Sequence, residues 1–328
     1  MTTDPRTLAD RLLSRDRDAV AEALNLTDDQ RPERQAAALK LLDILEREAP
    51  FPGAARIGIT GAPGAGKSTL LDALVRELRP RGETVAIVAV DPSSQRTGGA
   101  LLGDRIRLRS GSSDPGVFIR SMAARDRLGG LSDATHAGVT ILALVFDRVF
   151  IETVGVGQSE ADVSRLVDTL VFVANPGTGD VLQFMKAGLL ELPDIFLVNK
   201  ADAGPIAERT VSELESGLSL GERSDAAWTP PVLLTSARDG SGVHQFVEAL
   251  DAHRRHLQND DRISQRRGEA ARALVIGALQ RRYGSFGLQQ LGGLASLRSR
   301  LAEDPTPSAF TRIARLGAEI EEALRKSD

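Results

Sequence analysis

Lys67 and Ser68 close the octet Gly61-Ala62-Pro63-Gly64-Ala65-Gly66-Lys67-Ser68, which sets glycines, an ammonium and a hydroxyl at the spacing G-x-x-x-x-G-K-[ST]. That spacing suits a nucleotide's phosphate chain. The glycines let main-chain N–H groups close around the β-phosphate, Lys67 reaches the β and γ oxygens, and Ser68 is a ligand for Mg²⁺. An apolar run, 56–60, precedes the octet and a stretch of helical periodicity, 69–78, follows it, so the anion would meet a helix N-terminus. A Gly-rich turn that only joins a strand to a helix is the alternative, and it leaves the whole octet unexplained.

Three acidic residues could accompany a Mg²⁺–phosphate complex. Asp91 stands just beyond the strand-like run 84–90 and opens a Gly/Ser-rich loop; Asp104 follows in Leu101-Leu102-Gly103-Asp104. By spacing alone, Asp91 could equally open a turn and Asp104 lie on a solvated helix. Val149-Phe150-Ile151-Glu152-Thr153-Val154-Gly155 is a strand ending in an acid, with a glycine three residues on. There the Glu152 carboxylate could hold Mg²⁺ through water and the Gly155 N–H could meet the γ-phosphate, which makes the loop a switch. Many GTPases have Asp at the place of Glu152, whose extra methylene changes its reach. Further on, Lys186 follows the loop Asn175-Pro176-Gly177-Thr178-Gly179-Asp180 and is either a cation for developing phosphate charge or an exposed helix lysine.

Base choice is carried by Asn199-Lys200-Ala201-Asp202, which matches N-K-x-D after the apolar run 195–198. The Asp202 carboxylate can accept from guanine N1–H and the exocyclic amine, a donor pair that adenine lacks. Asn199 supports the loop and the base edge, and the Lys200 stem covers the ring. Thr235-Ser236-Ala237-Arg238 follows a further strand, where the Ala237 N–H could meet guanine O6.

These residues need a scaffold that brings loops 61–68, 152–155, 199–202 and 236–238 to one edge. Short β-rich runs at 56–60, 84–90, 117–120, 149–153, 169–174, 195–198 and 232–234 alternate with helical stretches, which predicts a mostly parallel sheet with ligands outside its C-terminal ends. The expected fold is therefore α/β: a P-loop NTPase three-layer α/β/α sandwich, with N-terminal helices and a C-terminal helical arm. The boundaries read as 1–52 for the N-terminal extension, 53–260 for the nucleotide domain and 261–328 for the arm. In the arm, Phe310, Ile313, Leu316, Ile320 and Leu324 form a stripe that must pack on the parent domain or on a second subunit, after a Gly-rich turn at 284–293.

Composition sets limits on partners. With 41% hydrophobic and 26% charged residues the chain can bury an ordinary core, and its net charge of −4 gives no reason to expect nucleic acid. There is no cysteine, so disulfides and thiolate metal sites are excluded. No run approaches the ~18 to 20 apolar residues of a membrane span, and the expectation is a cytoplasmic protein without membrane contact. The histidines show no metal-ligand spacing; His253 and His256, three apart on a helix, read as a solvated face. No Ser/His/Asp grouping stands out.

Together, Gly-Ala-Pro-Gly-Ala-Gly-Lys-Ser-Thr, Val-Asp-Pro-Ser-Ser with Thr-Gly-Gly and Leu-Leu-Gly-Asp, Phe-Ile-Arg-Ser, Glu-Thr-Val-Gly-Val-Gly-Gln-Ser-Glu and Asn-Lys-Ala-Asp resemble the MeaB/ArgK-type GTPases. These are bacterial relatives of the human methylmalonic aciduria type A protein, and the likeness spans residues 30–260 by motif. The resemblance implies a homodimeric GTP hydrolase that binds GTP or GDP with Mg²⁺. It further implies a chaperone for an adenosylcobalamin-dependent acyl-CoA mutase, usually methylmalonyl-CoA mutase, that gates cofactor loading and protects or reactivates the mutase. By the same resemblance Lys67, Ser68 and Thr69 bind phosphate and Mg²⁺, and Asp91, Asp104 and Glu152 form the acidic metal and catalytic shell. Lys186 matches a lysine of an additional switch loop implicated in hydrolysis, while Asn199, Asp202, Ser236, Ala237 and Arg238 hold guanine. Two other readings are an ATP-dependent kinase of the arginine/ornithine transport type, against which Asn199-Lys200-Ala201-Asp202 argues, and a nickel-insertion GTPase, for which clustered His or Cys ligands are missing.

Overall fold

A computed structural model describes residues 4–29, 31–49, 53–91, 114–123, 133–153, 163–179, 191–219, 227–304 and 308–327. Seven strands lie at the places the sequence pattern assigns: β1 (Ala55–Thr60), β2 (Val85–Asp91), β3 (Val117–Ala123), β4 (Arg148–Thr153), β5 (Thr169–Ala174), β6 (Ile195–Val198) and β7 (Val232–Leu234). They form one sheet in the order β3-β2-β4-β1-β5-β6-β7. Every recorded pairing in it is parallel. Strands β4, β5 and β6 are buried along their whole length, which is why they read as continuous apolar runs rather than alternating ones.

The helices among the described residues are α1 (Pro5–Leu13), α2 (Asp18–Asp28), α3 (Pro32–Glu48), α4 (Lys67–Leu78), α5 (Asp133–Val145), α6 (Pro205–Leu218), α7 (Val243–Gln258), α8 (Arg262–Gln289), α9 (Gly293–Glu303) and α10 (Ala309–Ser327). Two faces follow from the two-residue period of the strands. Val171 and Val173 of β5, with Ile57 and Ile59 of β1, pack on Leu70, Leu71 and Leu74 of α4 and Phe246 and Leu250 of α7. Phe172 and Ala174, with Phe196 and Val198 of β6, pack instead on Ala207 and Leu214 of α6. Each such fully buried Leu or Phe side chain contributes about 1.5–3 kcal/mol. The helical period of α4 and the strand period of β1 thus fix the loop between them at the C-terminal edge.

Contacts divide the chain into two compact units. One comprises Ala54–Val139 and Phe146–Ile263 and contains the sheet; the other comprises Met1–Gly53, Thr140–Val145 and Ser264–Asp328. In the second, Asp4 caps α1 by accepting from the Arg6 and Thr7 N–H groups, with Pro5 at the first helical position. Acids of α3 serve the start of α10: Glu46 accepts from the Ala309 N–H at 3.1 Å and Asp43 from the Thr311 hydroxyl at 3.2 Å. Carboxylates there also match the positive end of the helix dipole. Leu316 and Ile320 of the α10 stripe are buried in this unit's core with Val275 and Leu279 of α8 and Leu297 and Leu301 of α9. The Gly-rich stretch is not one open turn: after a break at Gly284 (φ +65°) the chain resumes helix through 285–289, and the turn is confined to 290–292. The resumed helix carries Leu288 into that core. No helix among the described residues is long and apolar enough to cross a membrane.

Candidate functional site

The phosphate loop leaves β1 through Gly61 at φ +141°, where an added Cβ would stand 2.1 Å from the Val173 carbonyl oxygen of β5. Only glycine fits that passage. At Gly66, φ is +88° and a Cβ would lie 2.5 Å from Asn199 Nδ2. Gly66 is the N-cap of α4 and supplies no side-chain cap, so the first turn of α4 is not closed over by its own cap residue. A helix start of this geometry suits an anion.

Lys67 is buried and donates to the carbonyls of Gly61 (2.7 Å) and Ala62 (3.1 Å), bracing the loop from within. The Ser68 hydroxyl donates to Glu152 Oε1 at 2.8 Å. Glu152 is buried on β4, paired in register with Ile59 of β1 and Ala89 of β2, so its position is set by the two central neighbours of its own strand. Thr69, next along α4, is exposed. Asp91 ends β2 in register with Ala123, and its side chain lies outside the described residues. Asp104, Gly155 and Lys186 lie outside them as well.

The guanine motifs are built onto the same loop. Asn199, 2% exposed, accepts from the Ala237 N–H with Oδ1 at 3.1 Å and donates from Nδ2 to the Ala65 carbonyl at 2.8 Å. Its amide therefore ties three loops together, and both of its ends are engaged by main chain. Lys200 sits in the left-handed region at φ +65° and donates to the Gly64 carbonyl at 2.8 Å, laying its stem along the phosphate loop. Asp202 is half-exposed, 3.4 Å from the Ser236 hydroxyl and 3.9 Å from the guanidinium of the exposed Arg238. One carboxylate oriented by a hydroxyl, at the mouth of a loop whose floor is Asn199, can accept a pair of ring-edge donors.

Sequence reading missed what holds loop 236–242 in shape. Asp239 Oδ1 accepts from the Ser241 N–H at 2.8 Å, and hydrogen bonding from the Ser241 hydroxyl, then from that N–H, holds the Asp239 carboxyl below its usual range. Gly242 has φ +73°, and a Cβ there would fall 2.2 Å from the Leu234 carbonyl. The Asp-Gly-Ser-Gly run 239–242 was the available signal, since such residues mark tight turns.

Comparison with known proteins agrees with this geometry. The family model described as Methylmalonyl Co-A mutase-associated GTPase MeaB matches residues 20–283. A protein of Pyrococcus horikoshii named as a GTPase is 46% identical over 264 residues, which span 79% of this chain and 81% of the relative. The mitochondrial methylmalonic aciduria type A homolog of Mus musculus is 35% identical over 250 residues, 73% of this chain and 60% of that protein. Among solved structures, that of a protein named LAO/AO transport system kinase superposes with a TM-score of 0.70 at 27% identity, covering 98% of this chain and 99% of its own.

Proposed function

The chain belongs to the MeaB family, a family of GTPases, and from that membership we propose that it serves as a nucleotide-driven chaperone for an adenosylcobalamin-dependent acyl-CoA mutase. Methylmalonyl-CoA mutase is the first candidate, because the family description names association with it and a relative carries the name of methylmalonic aciduria. In this reading GTP binding and hydrolysis gate cofactor loading and protect or reactivate the mutase. The single observation that best supports a guanine-switched device is the Asn199 bridge: one side chain joins the phosphate loop at Ala65 to the base loop at Ala237. A change at either end is felt at the other.

In the hydrolysis we propose, water attacks the γ-phosphate in line. Lys67 exchanges its two carbonyl acceptors for phosphate oxygens, placing an ammonium against the charge that develops there. The Ser68 hydroxyl and Glu152 carboxylate, 2.8 Å apart, are hard oxygen donors at the helix start and fit Mg²⁺, which takes oxygen ligands and keeps several waters. When bound, that ion would offset phosphate charge. Asp91 and Asp104 would complete the acidic shell, Gly155 would report the γ-phosphate, and Lys186 would approach it from the loop after β5. Asp202, oriented by Ser236 and flanked by Arg238, would select guanine. We assign residues 53–260 to the nucleotide domain, with 1–52 as an N-terminal extension, and 261–328 to a dimerisation arm of a homodimer.

The reading is tested by co-purification with candidate cobalamin mutases, in GDP and in a non-hydrolysable GTP analogue. Nucleotide-sensitive association with one of them is expected; none with any would remove the chaperone role and leave the GTPase standing. The kinase reading has behind it the name borne by the solved neighbour, a transport system kinase. Competition decides it: GTP, and not ATP, is expected to displace bound GDP.

A further inference from the structure

At the edge of the sheet opposite the phosphate loop, a buried imidazole joins three elements. His253 of α7 is 1% exposed. Its Nδ1 lies 2.8 Å from the hydroxyl of Thr169, the first residue of β5, and its Nε2 lies 3.4 Å from Oδ1 of Asp194, just ahead of β6. Asp194 is fixed in turn, accepting from the Leu170 N–H at 2.7 Å with Oδ2 and from the Trp228 indole N–H at 2.8 Å with its main-chain carbonyl. The Trp228 ring stands 4.7 Å from His253 and 5.2 Å from His256. The helix face that carries these two histidines is thus packed under an indole, not solvated as its sequence suggests.

Hydroxyl, imidazole and carboxylate in a row have the order of a nucleophilic triad, but Thr169 is 3% exposed and no substrate reaches it. The same order serves a proton. Both neighbours of His253 can accept: a carboxylate always, and a hydroxyl once its hydrogen rotates away. An imidazolium, which donates from both nitrogens, is therefore fully paired here, with the indole face as a third favourable contact. His256 is the opposite case. Its Nε2 lies 3.2 Å from an Arg262 guanidinium nitrogen, which can only donate, so that ring nitrogen is the acceptor in this contact. Other charges around the site are spoken for: Asp168, beside Thr169, accepts from the Arg56 N–H of β1, and Asp251 of α7 pairs with Arg148 of β4. Arg254 of α7 also has partners. Glu77 of α4 and Arg81, in the turn that follows it, meet α7 at His244.

We propose that Thr169, His253 and Asp194 form a proton-operated latch, closed by the imidazolium and loosened when the ring is neutral, with Trp228 as its built-in optical reporter. The latch holds the near ends of elements whose far ends carry nucleotide motifs. β6 runs into Asn199 to Asp202, and α7 begins where loop 236–242 ends. Loosening it speeds GDP release as pH rises, a consequence that rests on the guanine-site reading; the proton site itself does not.

Trp228 is the sole tryptophan, so its emission can be followed directly. An adjacent imidazolium quenches indole emission, and emission is expected to rise in one transition between about pH 5 and 8. Thr169→Ala weakens the hydroxyl's share, H253Q abolishes the transition, H256Q retains it, and D194N, which removes the negative charge at unchanged size, moves the midpoint down by roughly one unit or more. An emission flat with pH, or a transition that survives in H253Q, overturns the proton site. Should H253Q fail to fold, D194N decides: an unmoved midpoint overturns it equally. With mant-GDP the release rate is expected to rise severalfold across the same transition and to be pH-independent in H253Q. A flat release rate in the wild type removes the link to nucleotide, whereas absence of GDP binding at every pH would count against the guanine-site reading and leave the emission result as it is.

Discussion

Replacing Asn199 by alanine should uncouple base from phosphate. The substitution deletes two buried hydrogen bonds at once, leaving the Ala65 carbonyl and the Ala237 N–H without that side chain between them. A buried polar group that loses its partner costs about 1–3 kcal/mol, so the two together come to ~2–6 kcal/mol. Both bonds exist before nucleotide arrives, and the loss therefore divides between folding and binding. The middle of that range, shared evenly, is ~2 kcal/mol, above the ~1.4 kcal/mol that makes a tenfold change in affinity. We expect N199A to bind fluorescent GDP at least tenfold more weakly and to melt several degrees lower without nucleotide. N199D is the instructive companion. One oxygen still accepts from Ala237, but the other now faces the Ala65 carbonyl, acceptor against acceptor, so affinity should fall at least as far although size is kept. If both variants hold GDP within about threefold of the wild type, the bridge does not couple the loops and the reasoning built on it fails.

Three other outcomes follow from local geometry. Gly242→Ala forces a Cβ to within 2.2 Å of a main-chain oxygen and should hasten GDP release and lower Tm, whereas Gly240→Ala, with φ +89° but open space around it, should do less; the reverse ranking would count against the turn described. Tyr283 donates to Glu321 at 2.6 Å, and burial together with that bond pushes its hydroxyl up to about 12. As the only tyrosine, it should titrate near that value by ultraviolet absorbance. Because the folded value is raised above the unfolded one, this bond's share of stability is whole below the unfolded tyrosine range, about pH 10, and is lost as pH climbs through the folded value; ionisation near the unfolded value would refute the contact. Arg148, buried between Glu83 (2.5 Å) and Asp251 (2.7 Å), should cost ~3 kcal/mol by urea unfolding when changed to alanine, against less than about 0.5 kcal/mol for the exposed Arg238.

The sheet was legible because parallel strands covered on both faces are uninterrupted apolar runs, and β4, β5 and β6 are such runs. The octet 61–68 and the N-K-x-D run 199–202 stood out because each fixes residue types over a few consecutive positions, and the structure brings the two loops together through Asn199. Contacts across distance were not. Asn199 finds Ala65 across 134 residues and Ala237 across 38, and no local period announces either. His253 was misread for a related reason: helix α7 buries Phe246, Leu250 and Leu257 along the face that also carries His253, and a polar letter hides its membership in that stripe. Past Gly284, glycine content suggested a turn, but the burial of Leu288 outweighed the ~1 kcal/mol by which glycine disfavours helix.

The pairing of Glu46 with Ala309 bears on the order of events as the chain is made. The helix that supplies the acid leaves a ribosome 263 residues ahead of the helix start it caps. Drawing together the ends of a free coil of that length costs ~5 kcal/mol in entropy. Vectorial synthesis therefore completes the sheet unit while α1–α3 still lack their C-terminal complement, and α10 arrives as the closing piece. A nascent chain stalled before α10 would hold a complete sheet unit, and a helical unit whose acids on α3 still lack the helix start they cap.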